Sequence, residues 1–146
     1  SNSPKASGSP AAAGSPSPSA SQLTYDQLQP GDCLQIPSIN TISSFPDMFT
    51  AVPCSQSHTG EVFFSGDIWP QSLAYPGDKK VSNQAVTRCD RAFTVYDGIL
   101  PSQSAYNYSY QLPDSASWAL GDRLLQCIAY ESSGAPLYSS IKASNQ

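Results

Sequence analysis

The stretch VSNQAVTRCDRAFTVY, Val81–Tyr96, sets the architecture. Its apolar residues fall at Val81, Ala85, Cys89, Phe93 and Tyr96, spaced four, four, four and three apart. That spacing marks one face of a helix. Asp78 or Ser82 is placed to cap its start, and Gly98 to stop it. One amphipathic helix cannot bury its own apolar stripe, so it must lie on another layer. Cys89 sits in the middle of that stripe and is aimed at whatever lies beneath.

The layer beneath is expected to be a sheet. Working back from the helix, EVFFSGDIW (Glu61–Trp69) is aromatic and β-branched and reads as a strand. Before it, FTAVPC (Phe49–Cys54) and DCLQI (Asp32–Ile36) read as two more. Pro53 cannot donate a ladder hydrogen bond, which places that part at an edge or a bulge. The polar loop NTISSFPDMF (Asn40–Phe49) carries apolar residues able to fold over a core. Thr24 can cap a short turn that Pro30-Gly31 ends. Beyond the helix, Tyr106, Tyr108, Tyr110 and Leu112 alternate, as one face of a strand does. DSASWAL (Asp114–Leu120) reads as a helical turn closed by Gly121. RLLQCIAY (Arg123–Tyr130) is apolar on both faces and reads as a central strand, and LYSSI (Leu137–Ile141) as a last short one. The fold class is therefore α+β: a mostly antiparallel sheet with one main helix on a face.

The chain has 146 residues, room for one domain. Residues 1–21 are Ser, Ala, Pro or Gly apart from Asn2 and Lys5. They have no large apolar group to offset the entropy of ordering, so they are expected to form a disordered tether, leaving 22–146 as the domain. Net charge is −4, and the seven Lys and Arg residues read as scattered, which argues against a nucleic-acid binder. No apolar run approaches a membrane span.

Four cysteines, Cys33, Cys54, Cys89 and Cys127, are widely spaced, with no CxxC pair of the kind zinc sites use. Two disulfides in an oxidising compartment are expected. Three pairings are open. Neighbouring strands favour Cys33–Cys54, and a helix above a central strand favours Cys89–Cys127.

Three groups of side chains are candidates for chemistry or binding. His58 and Glu61 suggest a metal or acid–base pair, but catalytic zinc needs three protein ligands and no second histidine exists. The alternative has both bonded to backbone around a Thr59-Gly60 turn. Tyr106, Tyr108 and Tyr110, with Trp118, could form a surface for sugar rings or a protein; the alternative is a covered sheet face. Asp122 and Arg123 could be a binding pair or a salt bridge at a turn. No nucleophile elbow and no phosphate loop appears, so no enzymatic activity and no cofactor or metal are expected.

In order along the chain stand GDCL (Gly31–Leu34), VPCSQSHTGEVF (Val52–Phe63), RCDRAF (Arg88–Phe93) and SWALGDRLLQC (Ser117–Cys127). Together they resemble the septum formation domain family of actinobacteria. Ser57 stands where that family's pattern usually has proline. The resemblance implies a domain outside the cytoplasmic membrane, belonging to a membrane-anchored or lipoprotein-like envelope protein linked to cell division. Its four cysteines correspond to Cys33, Cys54, Cys89 and Cys127. Its polar and aromatic landmarks correspond to His58, Glu61, Trp118, Asp122 and Arg123. With no convergent catalytic site in the sequence, the function expected is binding or adaptor work, by a monomer, toward an envelope or division protein or a cell-wall glycan. A hydrolase or metal site centred on His58 and Glu61 is the competing expectation.

Overall fold

A computed structural model describes residues 20–42 and 44–146 of the chain. Most of the expected tether, residues 1–21, lies outside the described residues. Six strands form one sheet: β1 (Ser21–Thr24), β2 (Cys33–Gln35), β3 (Met48–Val52), β4 (Gly60–Asp67), β5 (Tyr106–Gln111) and β6 (Leu124–Glu131). Their order across the sheet is β1-β3-β2-β4-β6-β5, and each neighbouring pair is antiparallel. The main helix, α1, spans Asp78–Asp97, and a short helix, α2, spans Ser115–Ala119.

Both faces of the sheet are covered. Val81, Ala85, Cys89 and Phe93 of α1 are fully buried against Phe63, Leu125, Cys127 and Ala129. On the other face, Leu34, Phe49, Val62, Ile128 and Tyr130 meet Leu28 and Ile39, with Ile42 and Phe45 packed alongside. The loop after β2 thus folds over the second core, as its apolar residues predict. β6 feeds both cores because successive side chains of a strand point to opposite faces. Burying one such side chain contributes about 1.5–3 kcal/mol.

The register between β4 and β6 shifts between Val62 and Phe64. This bulge puts Phe63 and Phe64, consecutive in sequence, on the same helix-covered side. The ring of Phe63 meets Phe93 edge to face at 5.4 Å, and Arg88 lies over Phe64 at 4.8 Å. Gly60, which opens β4, has little room: a Cβ there would stand 3.0 Å from the Ile128 side chain.

The disulfides are Cys33–Cys54, joining β2 to the turn after β3, and Cys89–Cys127, joining α1 to β6. Several expectations need correction. Gly77 rather than Asp78 or Ser82 caps α1, with Asp78 as the first helical residue, where its charge suits the helix dipole. Pro53 lies just past the end of β3, and the bulge falls in β4 instead. Leu137–Ile141 forms no strand. It makes a single bridge, His58 with Leu137, before an irregular tail. β1 has no counterpart among the expected strands, since four residues with weak alternation carry little signal. The short turn after it is a 3-10 helix, Tyr25–Gln27, where Gln27 Oε1 accepts from the Thr24 N–H at 2.9 Å.

Candidate functional site

His58 and Glu61 are both buried, at 1% and 0% exposure, but they share no hydrogen bond. The chain turns upstream of them, where Gln56 N–H donates to Pro53 O at 2.9 Å, not at Thr59-Gly60. His58 exchanges backbone hydrogen bonds with Leu137 in both directions. Its Nδ1 stands 2.8 Å from Gln56 O; a carbonyl only accepts, so Nδ1 carries the proton. Nε2 is left buried with no partner among the described residues.

Glu61 reaches away from the turn. Tyr96 Oη and Ser140 Oγ each donate to its Oε2 at 2.6 Å, and Ile141 N–H donates to Oε1 at 2.9 Å. Burial, then the hydrogen bond to Glu61, raises the Tyr96 phenol above the ordinary tyrosine range. Asp97, also fully buried, accepts from Ser104 and Ser144. Two carboxylates, neither bonded to a cation among the described residues, therefore bind the tail, residues 137–146, against β4 and the end of α1. Gly98 belongs to the same clasp: its φ of +106° suits glycine, and any Cβ there would run into Asn145.

Cys33 Sγ, Cys54 Sγ and a Glu61 oxygen lie within 4.8 Å of one another. The sulfurs are bonded to each other, so this trio offers one carboxylate and no thiolate ligand.

Arg123 is 5% exposed and bonds to no carboxylate. Its guanidinium donates to four carbonyls: Pro70 at 3.2 Å, Trp118 and Asp122 at 2.9 Å, and Gln71 at 3.1 Å. It also stacks on the Trp118 ring, 3.8 Å from the centroid. The expected salt bridge to Asp122 is not made; the Asp122 carboxylate accepts from Leu124 N–H at 3.0 Å. Arg123 thus shapes the loop before α1, where Trp118 Nε1 donates to Leu73 O and Trp69 Nε1 to Gln84 Oε1.

Tyr106, Tyr108 and Tyr110 are half-buried beside the α1 core, so that face is covered by the helix rather than open. Tyr108 Oη donates to Asp90 at 2.6 Å, and Tyr110 Oη stands 3.0 Å from Ser82 Oγ.

What sequence reading missed is on the outer flank of α1. Three of the seven basic residues are gathered: Lys80, Arg88 and Arg91 line one groove of about 490 Å³, with Ile68 and Trp69. Arg88 and Arg91 also border a second hollow of about 360 Å³, with Lys142. The signal was legible, because positions 80, 84, 88 and 91 share one helix stripe.

A family model described as Septum formation matches residues 4–129 of the chain. No curated protein and no solved structure matches it.

Proposed function

Because the chain belongs to the septum formation family, we propose that it is a non-enzymatic binding or adaptor domain working outside the cytoplasmic membrane during septum formation. Its partner is an envelope or division protein, or a cell-wall glycan. The segment before Ser21, the first residue of β1, tethers it to the membrane. Two disulfides support the location, since such bonds persist in oxidising compartments. No helix among the described residues is long and apolar enough to cross a membrane.

The observation that carries the reading is the use made of the polar landmarks. His58, Glu61 and Arg123 are buried, and they bond to backbone, hydroxyl groups and the tail. A reaction needs such groups converging on a space where substrate can sit. Here they bond mainly to the protein itself, which supports a reading in which surfaces do the work.

Two measurements test this. A fluorescent fusion exported in dividing cells should concentrate at the septum, and uniform envelope fluorescence would count against the septal role. The oxidised chain should be retained on isolated envelope fractions without degrading them. Envelope-polymer hydrolysis that disappears in His58→Asn would replace this reading with a hydrolase.

A further inference from the structure

The charges of this protein are divided in a way its net charge conceals. Nine of the eleven acidic residues accept hydrogen bonds from within the chain: Asp26, Asp32, Glu61, Asp78, Asp90, Asp97, Asp114, Asp122 and Glu131. The charged ends of Lys80, Arg88 and Arg91 have no such hydrogen bond among the described residues. Arg88 rests its guanidinium on Phe64, and Lys80 and Arg91 extend into solvent. No carboxylate lines the groove these three share.

Their spacing describes the ligand. From Lys80 to Arg91 is about 16 Å along the axis, at about 1.5 Å per residue. The cations stand at both ends and near one end's neighbouring turn, and the neutral hydrogen-bonding groups of Asn83, Gln84 and Thr87 lie between. A single small anion could engage only part of such a track. An extended chain with separated negative charges and many hydroxyl groups fits all of it. Three charges over that length are sparse beside duplex nucleic acid, which carries about one per 1.7 Å. The aromatic rings here are also poor platforms for bases, since Trp69 is buried and Phe64 is capped by Arg88. The neutral amides and hydroxyl set between the cations suit a hydroxyl-bearing polymer better than the closely spaced anionic headgroups of a lipid surface.

We propose that the outer flank of α1 binds a linear anionic glycan, bearing carboxylate or phosphate groups, through Lys80, Arg88 and Arg91. This rests on reading the domain as a binding module and names the chemistry of its ligand. Guanidinium and ammonium groups hold the anions, Arg in bidentate fashion, while the Asn83 amide, the Gln84 NH2 left over from its carbonyl's bond to Trp69, and the Thr87 oxygen, whose proton goes to the Asn83 backbone carbonyl, meet sugar hydroxyls. Affinity falls as salt rises, because the contacts are exposed charges.

The test titrates the oxidised chain with polygalacturonate oligomers and with phosphomannan oligosaccharides by calorimetry. Neutral dextran, an oligothymidylate and phosphatidylglycerol-rich vesicles are run alongside. The expected result is binding to at least one anionic glycan and not to dextran, weakened about tenfold in Lys80→Gln/Arg91→Gln and hardly changed in Lys79→Gln. Arg88 is left intact because it packs on Phe64, and thermal melts confirm that the double variant folds. The idea is overturned if neither glycan binds, if the double variant binds as well as the parent, or if vesicles or the oligonucleotide bind more tightly. Retention of parent and double variant on envelope fractions separates the two proposals. Equal retention of both overturns the glycan groove and leaves the binding module standing. Glycan binding without any envelope retention supports the groove and removes the module's proposed role.

Discussion

Glu61 and Arg123 show how this fold handles a buried charge. Among the described residues neither meets an ion of opposite sign; three donors surround the first and four carbonyls the second. Hydrogen bonds to a charged group contribute about 1.5–3 kcal/mol each when their loss leaves the partner unsatisfied. Glu61→Ala strips the acceptor from Tyr96, Ser140 and the Ile141 N–H together. It is expected to lower the unfolding free energy by about 3 kcal/mol, and Glu61→Gln by about half as much, in urea titration. Losses below about 0.5 kcal/mol in both, the range of ordinary surface changes, would mean the tail is held by other contacts. His58 and Glu61 also mark the limit of motif reading at this scale. Their offset of three brings side chains together on a helix. In extended backbone only even offsets share a face, so a pair that looked like a site is divided between two structural tasks.

At the scale of elements, α1 is defined by its two flanks and its covalent anchor. Its buried face follows the four-and-three spacing, its outer stripe carries the cations, and Cys89 fixes it to β6. The bulge in β4 supports the same contact by turning two phenylalanines toward the helix. The two crosslinks should differ in effect. Cys89–Cys127 spans 38 residues and Cys33–Cys54 spans 21. Chain entropy assigns about 4 kcal/mol to the longer loop and about 3 kcal/mol to the shorter. Cys89→Ala/Cys127→Ala is therefore expected to destabilise more than Cys33→Ala/Cys54→Ala, and its α1 amides to exchange fastest in hydrogen-exchange measurements. The reverse order would show that the tie between β2 and the β3 turn, not the helix anchor, limits stability.

For the whole molecule, the tyrosines link stability to alkaline pH. Burial first, then hydrogen bonds to Glu61 and Asp90, raise Tyr96 and Tyr108 above their ordinary value of 10.0. In the folded state these phenols keep their protons longer than in the unfolded chain. Their contribution is thus complete below pH 10 and declines as pH rises from there toward the folded values. Half-buried Tyr75, pushed up to about 12 by its hydrogen bond to Asp78, titrates late as well. Melting temperature is expected to hold level up to about pH 9 and fall above pH 10, with a shallower fall in Tyr96→Phe/Tyr108→Phe. An equally steep fall in that variant would assign the alkaline loss to other groups. Much of this architecture was legible in the residue order. Helix, strands and the even set of cysteines follow from side-chain periodicity and local sterics, which act over a few residues, and the basic stripe on α1 was there to be read by the same spacing. Strand order, the β4 bulge, the carbonyl cage around Arg123 and the carboxylates that clasp the tail were decided only by tertiary structure. Each depends on groups tens of residues apart competing for the same buried donors and acceptors, and no local pattern records which of them will meet.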